Sequence, residues 1–211
     1  MKHKISLGLY IGIFATFPFL IGCINLERSY PEKRYFILDV SRDVGISSPD
    51  TGTVLTVRRF RISPQYEGKG FVYRLADLSY ESDFYNEFFI PPASLITEEI
   101  RQRLAGSGIF RHVVTPSSHL DSTYVLEGAV TALYGDYGVS AAPKAVLEMQ
   151  FFLLDETSTS PKIIYQSQYH KEEPLKGNTP DALVKSWNEA LKQILTEFET
   201  DLKENIHKTD P

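Results

Sequence analysis

The chain has almost no cysteine: Cys23 is the only one, so it can form no internal disulfide and no thiolate cluster for a metal. Positive charge is also scarce. The 22 lysines and arginines stand against 27 aspartates and glutamates, a formal net charge of −5, so no global basic field favours nucleic acid. No P-loop lysine motif is present, so any ATP hydrolysis coupled to this protein belongs to a partner. No Gly-x-Ser-x-Gly elbow is present either. Ser117, Ser118, His119 and Asp121 are near neighbours, whereas a catalytic triad is assembled by the fold from distant positions. His112 and His119 flank a loop containing Pro116 with no carboxylate at ligand spacing between them, and His170 is remote in sequence, so no zinc pattern emerges. Internal repeats and low-complexity segments are likewise missing.

Charge is absent altogether from Ile5 to Leu26. A basic Met1-Lys2-His3-Lys4 precedes this stretch, and the small Gly22 precedes Cys23, which is the three-part layout of a secretory signal. Leu20-Ile21-Gly22-Cys23 resembles a bacterial lipobox. That resemblance implies cleavage behind Gly22, a diacylglycerol on the Cys23 sulfur and an acyl chain (palmitate or similar) on its new amino group. A transmembrane anchor is the competing reading, since the uncharged run is just long enough to span a bilayer. Gly8, Gly12, Pro18 and Gly22 interrupt it, however, and Asn25 falls where a helix should still be apolar. A buried structural cysteine is a third reading, out of place at the edge of a signal. Two or three acyl chains hold a protein on a membrane almost permanently, at ~0.8 kcal/mol per buried methylene. Ile24, rather than an aspartate, follows the cysteine; by the enterobacterial sorting rule this resembles outer-membrane cargo.

Cleavage leaves about 189 of the 211 residues, enough for one domain with a proper core, and removing Lys2 and Lys4 takes the net charge from −5 to −7. The expected organisation is a signal peptide over 1–22, a lipidated N-terminus and tether over 23–33, one domain over 34–205, and a flexible tail over 206–211. Tyr and Phe are plentiful, 12 and 13, as suits a sheet-rich core or an aromatic contact surface. Arg34 to Val40 reads as a strand, apolar on both faces and hence central. Val54 to Phe60 and Phe71 to Arg74 are further strands, separated by a turn over 64–70. Ser82 to Ile90 is dense in aromatics. Pro91-Pro92 opens a helix whose Ile96, Ile100 and Leu104 share a face, with Gly106 or Gly108 as its left-handed cap.

Phe110 to Val114 then reads as a strand. In Thr123 to Tyr134 the even positions Tyr124, Leu126, Val130, Ala132 and Tyr134 form a core side. Leu147, Met149, Phe151 and Leu153 alternate in the next strand, and 162–170 makes another. Thr179 caps a last helix, with Pro180 at its first position and Asp181 at its positive end. An apolar stripe runs along it from Leu183 through Trp187, Leu191, Ile194 and Phe198 to Leu202. Strands, helix, strands, helix predicts an α+β two-layer sandwich: a mainly antiparallel sheet with two helices packed on one face.

With these residues in order, the chain resembles the ABC-type transport auxiliary lipoprotein family, the lipoprotein partners of MCE-type and paraquat-inducible-type lipid transport systems. The lipobox cysteine is followed by Tyr35-Phe-Ile-Leu38, Leu55-Thr-Val57 and Gly70-Phe-Val-Tyr-Arg74. An aromatic stretch then leads into Pro91-Pro92 and a helix, closed by Gly108-Ile-Phe110-Arg-His-Val113, and Tyr124-Val-Leu-Glu-Gly128 comes last. Where the family often carries a tryptophan before the proline, this chain has Phe88-Phe89.

The resemblance implies a non-catalytic periplasmic subunit without a cofactor. It would work beside an MCE-domain protein, an ABC permease and its ATPase, moving phospholipid or another hydrophobic molecule between membranes. Assembly of several copies into a ring is an expectation at family level. Phe84, Tyr85, Phe88 and Phe89 are candidates for partner or lipid contact; the alternative is that they fill the gap between sheet and first helix. Arg74 either grips a lipid phosphate or a partner carboxylate, or pairs with Asp77 or Glu81 to pin a turn. Arg58, Arg59 and Arg61, beside aromatic strands, suggest a single-strand nucleic-acid platform, which the export signal deprives of its substrate. The alternative function is a structural envelope lipoprotein that activates peptidoglycan synthesis or assists lipopolysaccharide insertion.

Overall fold

The computed structural model describes residues 31–40, 52–138 and 142–206. The chain divides into two units, Met1–Glu32 and Lys33–Pro211, and the fold below is that of the second. The expected signal peptide and Cys23, with positions 41–51, 139–141 and 207–211, lie outside the described residues.

Apolar alternation makes two long central strands. Strand β7 (Tyr124–Asp136) pairs antiparallel along its whole length with β8 (Lys144–Asp155), which pairs likewise with β9 (Lys162–Pro174). The other edge of β7 is shared end to end by three short parallel strands. These are β2 (Val54–Val57) at Tyr124–Leu126, β3 (Arg61–Ile62) at Ala129–Val130, and β4 (Gly70–Ala76) at Gly135–Asp136. Outside β2 lies β6 (His112–Val114). Outside β4 lie β5 (Ser79–Phe88), antiparallel, and then β1 (Arg34–Phe36), parallel. The sheet is mixed, with its longest pairings antiparallel.

Both helices cover one face, as an α+β sandwich requires. Helix α1 (Pro92–Ala105) buries Ile96, Ile100 and Leu104, and α2 (Pro180–Ile206) buries the whole stripe from Leu183 to Leu202. Phe198 stacks on Phe151 at 4.1 Å between ring centroids, and Trp187 meets Phe71 edge-on at 5.1 Å. Each such buried side chain contributes about 1.5–3 kcal/mol. Thr179 caps α2, its hydroxyl accepting from the Ala182 N–H at 3.2 Å. The helices are joined by a buried ion pair, Arg103 Nη2 to Glu199 Oε2 at 3.0 Å. Gly128 of β7 lets Phe60 lie against the sheet: a Cβ there would stand 2.2 Å from the Phe60 ring.

Three local expectations need correction. The first strand is not central; β1 is three residues long and outermost, leaving Tyr35 and Ile37 exposed while Leu38 and Val40 are buried. The alternation in β7 does not run through to Tyr134. A bulge between Val130 and Ala132 inserts one residue, so Leu133 joins Leu126 and Val130 on the packed face and Tyr134 turns to the other. Gly106 closes α1 with a right-handed φ of −87°, and the left-handed residue is Gly108, two positions on. The aromatic stretch before α1, to which the sequence pattern assigns no element, lies largely in the strand β5. Among the described residues no helix is long and apolar enough to cross a membrane.

Candidate functional site

Exposed apolar side chains collect at the β1–β5 edge, and a carboxylate knot arranges them. Asp83 accepts hydrogen bonds from the backbone N–H groups of Tyr85 (2.7 Å) and Asn86 (3.0 Å), from the Asn86 amide (2.8 Å) and from the Tyr73 hydroxyl (2.7 Å). Such a local turn breaks the period of two that would otherwise bury one of two neighbours. Phe84 and Tyr85 consequently both face solvent, 67% and 39% exposed, with their rings edge-on at 5.2 Å. Burial alone would push the Asp83 carboxyl up, but the four donors outweigh it and hold it below its ordinary range. Burial and the Asp83 contact push the Tyr73 hydroxyl well above its ordinary value. Gly70 makes room for the knot, since a Cβ there would stand 2.5 Å from the Asp83 carbonyl oxygen.

The patch continues onto β1. Phe89, 62% exposed, meets Tyr35 edge-on at 6.1 Å, and its N–H bonds the Phe36 carbonyl at 2.8 Å. Ile37 and Ile90 extend it. Lys33 sits 4.4 Å over the Phe84 ring and pairs with Glu87 at 3.1 Å, tying the two halves together. Exposed aromatics gathered in this way make the edge a candidate contact surface.

Of the residues singled out from the sequence, three lie in this patch: Phe84, Tyr85 and Phe89. Phe88 does not. It is 2% exposed, 4.8 Å from Phe71 and 5.5 Å from Trp187, and belongs to the core because β5 resumes its alternation after the knot. Arg74 is apart from the patch and pairs with neither Asp77 nor Glu81. It grips Asp136 of β7 with two donors, Nε and Nη2, and lies 5.2 Å over the Tyr134 ring, clasping the short β4–β7 pairing. That hydrogen bond holds the Asp136 carboxyl below its ordinary range and raises the Arg74 guanidinium further. Cys23 lies outside the described residues. Tyr35, Ile37 and Ile90 were missed as surface; the signal was a strand apolar on both faces at the very start of the domain, where one face has no partner element.

Three more of the singled-out groups, Ser117, Ser118 and His170, serve local structure. The Ser117 hydroxyl bonds Thr115 and the Ser118 hydroxyl accepts from Leu120 N–H, while His170 lies between Glu148 and Glu172. Among the described residues no three His, Cys, Asp or Glu side chains converge as a metal would need.

The model of the ABC-type transport auxiliary lipoprotein component matches residues 38–198. Among solved structures, a Xanthomonas campestris protein of the DUF330 family superposes with a TM-score of 0.66 at 16% identity, covering 85% of this chain and 98% of that one. A hypothetical protein from Chlamydia trachomatis gives 0.52 at 12%, covering 74% and 100%. At these identities the likeness is one of fold. No curated protein is significantly similar in sequence.

Proposed function

The chain belongs to the ABC-type transport auxiliary lipoprotein family, and on that footing we propose that it is the membrane-anchored, non-catalytic periplasmic subunit of an ABC/MCE-type system. The system moves phospholipid or another hydrophobic molecule between inner and outer membranes. The family match over residues 38–198 carries this reading, because it spans nearly the whole folded unit and names an auxiliary component of transport. Cys23 bears the acyl chains and holds the protein at the periplasmic face of the outer membrane. Phe84, Tyr85 and Phe89, with Tyr35 and Ile37, dock the MCE-domain protein. The Asp83 knot fixes the backbone that carries Phe84 and Tyr85, and Phe89 leans edge-on against Tyr35, so less freedom remains to be lost on binding than on a loop.

Crosslinked affinity capture from intact envelopes, with partners identified by mass spectrometry, tests the proposal. Recovery of an MCE-domain protein with its permease supports it. Recovery of peptidoglycan synthases or outer-membrane assembly proteins, with no MCE protein, overturns it in favour of a structural envelope lipoprotein.

A further inference from the structure

The sheet face opposite the helices carries a cavity that the docking surface does not use. Its volume is about 420 Å³, within the ~300–1,000 Å³ of small-ligand sites. Gly128 and Ala129 of β7 form a low floor, Gln150 and Phe152 of β8 one wall, and Arg58, Arg59, Arg61 and Glu127 the rest, the Glu127 carboxylate being held by Arg58.

The way the chain passes from β2 to β3 explains three arginines in one place. Phe60 is drawn into the core, against Phe151 at 5.3 Å, with its N–H on the Thr97 hydroxyl at 3.0 Å. Its neighbours Arg59 and Arg61 are thereby sent to the opposite side. Arg58 is neutralised by Glu127 and, at 3.4 Å, by Glu156. Arg59 and Arg61 have no acidic partner among the described residues, so two uncompensated guanidiniums face a hollow in a protein of net charge −5.

We infer that this hollow is a phosphate-binding site. Each planar guanidinium presents paired N–H donors that match two oxygens of a phosphate, which a carboxylate fills with one fork alone. The Gln150 amide gives one N–H to Gln168 at 3.3 Å and has a second to offer, and the Phe152 ring is an apolar wall for the carbon skeleton of an ester. The phosphate comes either from a phospholipid headgroup or from free solution. The headgroup source, unlike the site itself, rests on the transport reading above.

The test is calorimetric titration of the full chain in non-ionic detergent. One probe is inorganic phosphate and the other is phosphatidic acid dissolved in the same detergent at rising mole fraction. The expected result is saturable binding, weakened about tenfold or more in R59Q/R61Q through loss of charge-assisted hydrogen bonds. K185Q/K192Q removes the same charge from exposed positions of α2 and should bind as the parent does. R59K/R61K, which keeps charge but not the fork, should fall between. Tighter binding of phosphatidic acid than of phosphate assigns the site to a headgroup, and equal binding assigns it to free phosphate; both uphold it. Absence of saturable binding by either probe, or equal weakening in both glutamine variants, overturns it. Neither outcome depends on capture of an MCE partner.

Discussion

Removing Glu199 should be among the most damaging single changes a charged residue of this protein can suffer. Its side chain and that of Arg103 are 6% and 8% exposed, and the pair joins α1 to α2. In Glu199→Ala the guanidinium would keep only the Thr196 hydroxyl, at 3.0 Å, of its recorded side-chain partners. Its Nε is already buried without one. Breaking a buried pair on one side costs about 3–5 kcal/mol, because a charge is left desolvated. For a chain of this size each kcal/mol moves Tm by ~2–4 °C, so Tm should fall by ~6–20 °C. The half-exposed Arg101–Glu98 pair on α1 gives the contrast: Glu98→Ala should cost under about 1 kcal/mol. The double variant Arg103→Met/Glu199→Leu should recover most of the loss, since apolar residues of similar volume replace such pairs at little cost. Thermal unfolding of the four proteins, followed by circular dichroism, decides the matter. If Glu199→Ala costs no more than Glu98→Ala, or the double variant is no better than the single, the reasoning about burial is wrong.

Gly128→Ala should cost about 1–3 kcal/mol in urea unfolding, since its methyl would stand 2.2 Å from the Phe60 ring and 2.4 Å from the Gln150 carbonyl oxygen. Phe84→Ser with Phe89→Ser should leave Tm within ~2 °C, both rings being mostly exposed, yet abolish crosslinking to the MCE-domain protein. The ionised Asp136 carboxylate, its pKa lowered by Arg74, adds stability that is complete above the ordinary carboxylate range and lost as pH falls through the lowered folded value. Asp136→Asn should therefore flatten the acid limb of stability against pH, measured by unfolding at a series of acidic pH values. Cys23→Ala should leave unprocessed precursor and abolish fatty-acid labelling; unchanged processing would remove the lipobox reading.

The helices and the long β8 strand were legible in the sequence because one periodic pattern decides each. Ile96, Ile100 and Leu104, or Leu147, Met149, Phe151 and Leu153, leave no other way to gather apolar surface. Positions where two patterns compete were not. The bulge after Val130 exchanges Ala132 for Leu133 on the packed face, and nothing in a run of Val, Thr, Ala, Leu announces it. The exposed edge was half legible: the aromatic density stands out, but the rings' directions depend on Asp83, whose partner Tyr73 lies on the preceding strand. Arg74 illustrates the same limit, because its partner Asp136 is 62 positions away and the nearer carboxylates at 77 and 81 look equally apt.

The three strands that share one edge of β7 also bear on the order in which the chain can fold. β2, β3 and β4 all precede β7 in the chain, and each meets it in parallel, across separations near 70 residues. During synthesis they leave the ribosome before the strand they need, and only β4 finds a neighbour at once, in its hairpin with β5. The meander of β7, β8 and β9 with α2, by contrast, is built from contacts close in sequence. Contacts of low sequence separation form fastest. The last third of the chain is thus the template on which the first third is laid, and the order of emergence is the reverse of the order of need. Until β6 and then β7 arrive, Val54–Val57 is an apolar strand with unpaired edges, a segment in need of a chaperone's cover.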